Sequence, residues 1–357
     1  MGDDNPGPCG CHVLESAVAR WKEQQPLDIG APAACPPCRV RAGPGGYSWK
    51  CSGVHIGLHA LGIGPGADPA VIEAVARAAE VAGFSTLWSG EHVVMVDRPD
   101  SPYPYTGDGK IAVPSDADWL DPLVALSFVA AVTSRIRIAT GILLLPQHNP
   151  VVVAKQAASL DVLSQGRFAL GIGVGWSSEE FAALGVPFHG RARRMEEFVE
   201  AMRTLWRDDA SSYQGEFVRF REVRSYPKPV RARRLPVFVG GNSDRALDRV
   251  VAYGDGWYGF NLSLDEVPER VAALASRCLE VGRDTASVEV AVSLRDGSPQ
   301  DMDALAAMGV TELVVVDSPP AHAGPAARWV TALAQRWHVG PADALGRGGS
   351  EDQGTAG

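Results

Sequence analysis

The sequence predicts a (β/α)8 barrel with an antiparallel hairpin inserted after its fourth strand–helix unit. Two observations predict closure and a third predicts the insertion. From about Val54 to Trp337, short apolar runs alternate with helical patterns, as in a parallel sheet with crossover helices. The runs number eight and are about equally apolar, which favours a closed barrel over the alternative, a doubly wound open sheet. The alternation breaks at 208–235, a polar, Arg-rich stretch with Tyr213, Phe217 and Phe220 interleaved, which reads as a hairpin.

The elements follow in order. His55 to Leu58 is the first strand, and Pro69 starts a helix whose apolar face is Val71, Val75, Ala78, Ala79 and Ala82, ended by Gly83. Thr86 to Trp88 is the second strand. The Pro- and Gly-rich loop from Gly90 to Asp118 is too long for a plain connector and suits a lid or a substrate loop. A helix over Trp119–Val132, a strand over Ile136–Leu145 and a helix over Val151–Leu163 come next, then a strand over Phe168–Ile172 and a helix over Met195–Trp206. After the hairpin come strands at Pro236–Val239, Gly256–Phe260, Val288–Leu294 and Glu312–Val316. The helices between and after them lie over Asp244–Tyr253, Glu266–Val281, Met302–Met308 and Ala326–Trp337.

The flanks differ in composition. Residues 1–53 read as an extension outside the barrel domain at 54–339, and 340–357 as a polar, Gly-rich, disordered tail. Cys9, Cys11, Cys35 and Cys38 supply four thiolates, the number a tetrahedral zinc site needs. Cys-x-Cys is a tighter pair than zinc frameworks use, however, and a loose extension with no metal is the preferred reading.

Composition narrows the function classes. The 357 residues are 46% hydrophobic and 21% charged, with a net charge of −9, which argues against a nonspecific nucleic-acid binder. No apolar run is long enough to span a bilayer, and no signal peptide opens the chain, so a cytoplasmic protein with a small-molecule substrate is expected. Hydrolase, triphosphatase and zinc-protease motifs are absent.

In a barrel the chemistry gathers where strands end. After the second strand stand Glu91 and His92, either of which suits proton transfer; the plainer reading of His92 is a loop cap. After the third come Thr140, Gly141 and Ile142, where Gly141 marks a bulge or the approach of a ligand. Gly173, Val174, Gly175 and Trp176 follow the fourth; alternating glycines let backbone lie against a flat ring, and the spacing is not the dinucleotide fingerprint. Gly240, Gly241 and Asn242 lead from the fifth strand into a helix, a phosphate site or simply a tight turn. Arg191, Arg193 and Arg194 suit an acidic cofactor tail or a solvated, salt-bridged face.

Gly173-Val174-Gly175-Trp176, then Glu180-Phe181-x-x-Leu184-Gly185, Arg191-x-x-Arg194-x-x-Glu197 and Leu205-Trp206 resemble the luciferase-like monooxygenase superfamily, as do Pro236-x-x-x-Gly240-Gly241 and Gly254-Asp255-Gly256-Trp257. The resemblance is closest to the branch using coenzyme F420. It implies a barrel that binds a flavin-type ring at the strand C-termini, with a bulge at Thr140–Ile142, sometimes a non-proline cis peptide, behind the ring. It further implies that Gly173–Gly175 flank the cofactor, that Gly240–Asn242 hold its phosphate and that Glu91–His92 form the strand-end acidic–His pair. The implied activity is F420-dependent hydride transfer to or from an organic substrate. The alternatives are an FMN-dependent monooxygenase and a non-catalytic flavin-binding barrel, with Trp176 blocking the pocket. Family members are commonly homodimers.

Overall fold

The computed structural model describes residues 39–43, 46–50 and 53–340. The expected disordered tail, Cys9, Cys11, Cys35 and Cys38, and most of the N-terminal extension lie outside the described residues. Within the extension, the backbone of β1 (Arg39–Gly43) pairs antiparallel with β2 (Gly46–Lys50).

Eight parallel strands close a barrel: β3 (His55–His59), β4 (Thr86–Ser89), β5 (Arg137–Thr140), β6 (Phe168–Ile172), β9 (Val237–Gly240), β10 (Gly256–Leu262), β11 (Glu289–Leu294) and β12 (Glu312–Val316). β12 pairs with β3 over Glu312–Val316 and His55–His59, so no edge remains in the sheet. The helices are α1 (Pro69–Ala82), α2 (Pro122–Val132), α3 (Pro150–Leu163), α4 (Ser178–Ala183), α5 (Arg191–Arg207), α6 (Asp244–Tyr253), α7 (Glu266–Glu280), α8 (Met302–Ala307) and α9 (Ala323–Arg336). The hairpin of β7 (Ser211–Gln214) and β8 (Arg219–Val223) sits in the expected insertion. No helix among the described residues is long and apolar enough to cross a membrane.

Two layers of apolar packing hold the barrel. The larger lies between strands and helices, and includes Leu58, Leu87, Ile138, Leu170, Val237 and Val292. The smaller fills the interior, where Trp88, Phe238 and Tyr258 occupy the room left by Ala139, Ala169 and Ala291. Trp88 stacks on Tyr258 with ring centroids 4.8 Å apart. Gly57 is part of this fit, since a Cβ there would stand 2.9 Å from Trp88 Nε1.

Several boundaries differ from the sequence reading. α2 begins at Pro122, not Trp119, because the Asp121 side chain accepts from Val124 N and caps the helix there. Trp119 is extended instead, bridged antiparallel to Ile63. β5 stops at Thr140, and Leu145–Gln147 form a 3-10 turn rather than the end of a strand. α4 was not expected from the apolar pattern; it is six residues long, with Ser177 accepting from Glu180 N.

Candidate functional site

The C-terminal ends of the strands bring most of the candidate residues together. β5 ends in Thr140, whose Oγ1 donates to Gly171 O at 2.7 Å and ties two neighbouring strands. The Gly141–Ile142 peptide that follows is cis. The chain turns so that the Ile142 side chain lies over the barrel interior. A Cβ on Gly173 would come 2.0 Å from Ile142 Cδ1, and one on Gly240 would come 2.8 Å from it. Glycines at the ends of β6 and β9 therefore make room for one branched side chain, a half-buried apolar surface at the centre of the mouth. Val174 packs at the edge of the outer core. Gly175 has φ +76°, and a Cβ there would meet Phe181 at 2.7 Å.

The His92 side chain is only 8% exposed, and its Nδ1 lies 3.0 Å from Glu180 Oε2. The other Glu180 oxygen accepts from Val93 N at 2.8 Å. Burial opposes the charge on Glu180, but the His92 hydrogen bond and charge hold its carboxyl below the usual range, so it is a carboxylate. The imidazole stands edge-on to Trp119 (4.9 Å) and to Trp176 (5.9 Å). Trp176 Nε1 is buried without a protein partner.

Glu91 points elsewhere. Its oxygens accept from Leu144 N at 2.5 Å and pair with His148 Nε2 at 2.9 Å, fixing the segment after the bulge. Burial lowers the His148 pKa, yet the Glu91 hydrogen bond and charge outweigh it, and the net direction is upward. The adjacent residues Glu91 and His92 thus face two different partners.

His59, at the end of β3, is 7% exposed. Its Nδ1 is 3.2 Å from Tyr258 Oη, while Nε2 is buried with no partner. Burial pushes its pKa down to about 4, so the ring is neutral near pH 7.

At the end of β9, Gly241 has φ +117°. The Asn242 side chain turns to β10, donating to Phe260 O (2.7 Å) and accepting from Phe260 N (3.0 Å). Ser243 caps α6 by accepting from Ala246 N. The Asn242 side-chain amide is thus engaged with the Phe260 backbone, while Gly241 and Ser243 lead into the first turn of α6. The arginine cluster is engaged with backbone: Arg194 donates to Pro146 O at 3.3 Å and to Pro187 O, and Arg191 donates to Gly175 O at 3.1 Å. Arg193 pairs with Glu216 on the surface.

The long loop crosses the mouth. Glu179 accepts from Asp100 N and Ser101 N, at 2.7 and 2.9 Å, and fixes one end. Tyr103 packs on Trp176 at 5.3 Å, Tyr105 packs on Phe260 at 5.3 Å, and Asn261 donates to Tyr105 O at 2.6 Å. Beside Tyr105 a cleft of about 440 Å³ opens between Asn242, Asn261, Arg270 and Arg295.

Sequence reasoning missed Glu180, His59, Tyr258 and the two loop tyrosines as site residues. The spacing Ser177-x-x-Glu180 carries a helix-start signal that marks where Glu180 sits. Nothing local to His59 indicates that strand closure sets it against Tyr258, 199 residues away.

The profile of the luciferase-like monooxygenase family matches residues 52–307. An uncharacterized protein of Mycobacterium tuberculosis is 36% identical over 284 residues, covering 79% of this chain and 98% of its own. An FMNH2-dependent dimethylsulfone monooxygenase of Pseudomonas putida is 33% identical over 154 residues, 40% of this chain and 42% of its own. The coenzyme F420-dependent tetrahydromethanopterin reductase of Methanopyrus kandleri shares the fold, with a TM-score of 0.60 at 17% identity over 80% of this chain and 98% of its own.

Proposed function

The chain belongs to the luciferase-like monooxygenase family, and on that footing we propose an F420-dependent oxidoreductase that moves a hydride between the deazaflavin coenzyme and an organic substrate. The observation that carries this reading is the Glu180–His92 pair after β4, at the same end of the barrel as Ile142 after β5.

The residues present fit a flat ring with a phosphate tail. Ile142, in the room left by Gly173 and Gly240, offers the ring an apolar face. His59 Nε2 and Trp176 Nε1 are buried polar atoms that a ring edge would satisfy. The start of α6 after Gly241 would hold the phosphate. When bound, the coenzyme supplies the hydride chemistry.

The protein's part is proton handling and shielding. Hydride transfer at a carbon bonded to oxygen or nitrogen requires a proton to leave or reach that heteroatom. Glu180 accepts Nδ1–H of His92, which leaves Nε2 to take the proton or, once protonated, to return it. Trp119, Trp176 and the Tyr103–Tyr105 segment screen the mouth from water.

A second reading, an FMN-dependent monooxygenase, is favoured by the identity to the dimethylsulfone enzyme. Titrating the purified protein with oxidised F420 and with oxidised FMN, read by coenzyme fluorescence, decides between them. Saturable F420 binding with weaker FMN binding is the expected result. Tight FMN binding without F420 binding transfers the assignment to the second reading, and binding of neither overturns both.

A further inference from the structure

We propose that His59 is a further contact group of the site, presenting Nε2–H to a hydrogen-bond acceptor on the bound flavin-type ring, with Tyr258 fixing which nitrogen carries the proton. The inference rests on the proposed function for the ring and on the following geometry for the donor.

His59 faces inward at the top of the barrel, above Trp88 and Tyr258. Its Nε2 lies 3.2 Å from where a Cβ of Gly90 would stand, and its Cε1 lies 3.5 Å from the Cβ position of Gly141. Neither neighbour has a side chain to fill the space beside that edge of the imidazole, and Gly141 is followed directly in the chain by Ile142, the residue assigned to the ring. Nε2 is a buried polar atom with no hydrogen-bond partner among the described residues, which an acceptor atom of a bound ring would satisfy.

The proton's position follows from Tyr258. Its Oη lies 3.2 Å from His59 Nδ1. A phenol that keeps its proton donates it to a neutral imidazole nitrogen, so in this proposal Nδ1 accepts and the ring hydrogen is on Nε2. Burial pushes the Tyr258 pKa up and the His59 pKa down to about 4, so the phenol keeps its proton and the imidazole stays uncharged at neutral pH. His59 thus offers a donor without a charge, and His92, bonded to a carboxylate, is the member of the pair suited to proton exchange.

The test uses the full chain labelled with 15N-histidine. In the coenzyme-free protein, His59 is expected as a neutral Nε2–H tautomer from pH 5.5 to 8, and Tyr258→Phe is expected to abolish that preference. Adding the coenzyme that binds should shift the Nε2–H resonance. His59→Leu should weaken coenzyme binding about tenfold, the size of one good hydrogen bond, while His59→Gln, which keeps a donor, should lose less. Should His59→Leu fail to fold, the wild-type titration and His59→Gln still decide. A charged or Nδ1–H imidazole overturns the proposal. If coenzyme binds but the resonance and the His59→Leu affinity are unchanged, this inference falls alone. If neither F420 nor FMN binds the wild-type protein, the proposed function falls with it.

Discussion

Single side chains divide the work at the strand ends more finely than their order in the chain suggests. Glu91 and His92 are neighbours, yet one fixes the segment behind the bulge and the other projects beside the loop tryptophans. His92→Ala is expected to lower turnover at least about tenfold while leaving coenzyme affinity nearly intact, since general acid or base groups contribute about 10²- to 10⁴-fold. Glu180→Gln should lower turnover in the same direction by a smaller factor, because it releases the imidazole without removing it. Steady-state kinetics beside coenzyme titration checks both, and full activity in His92→Ala refutes the role. Gly173→Ala tests the mouth: its methyl would overlap Ile142 Cδ1, so the isoleucine must move and coenzyme affinity should fall about tenfold. Ile142→Ala added to Gly173→Ala should recover part of the affinity, unless the glycine serves only the local backbone. The strand-end residue types were legible from the sequence because position in a barrel selects them. Their partners were not, because Glu180 reaches His92 across 88 residues.

Secondary-structure elements were legible where apolar periodicity ran unbroken, as in α1, α5 and β6. They were misjudged where capping or a turn overrides it. The apolar run after Thr140 looks like continued strand, but the chain turns at the cis Gly141–Ile142 peptide, only a single bridge from Leu143 to Ile172 continues the pairing, and a 3-10 turn follows. Glu91 holds that turn through Leu144 and His148, and this link has a pH signature. The His148 pKa is raised above its ordinary 6.5 in the folded protein, chiefly through Glu91 and against the opposing effect of burial. Its contribution to stability is then full below about 6.5 and is lost as pH rises through the folded value. Urea unfolding of wild type and His148→Gln at several pH values should show a stability gap that is largest in acid and narrows in alkali. A gap independent of pH would place the effect in packing alone.

For the molecule as a whole, alternation of strands and helices was enough to name a closed barrel, because eight similar strands leave no edge to protect once β12 meets β3. The barrel closes within 55–316 and α9 packs on α1, so a chain beginning near Val54 is expected to fold and to bind coenzyme like the full protein. Circular dichroism melting with coenzyme titration checks this, and loss of cooperative folding on truncation would show that the extension is needed. What no strand-by-strand reading reveals is the meeting of Tyr258 with His59, which exists only because the closed ring brings β10 and β3 to face each other. His59 Nε2 is buried in the coenzyme-free protein, so the rate at which its hydrogen exchanges for deuterium is expected to report how often that corner of the barrel opens to solvent.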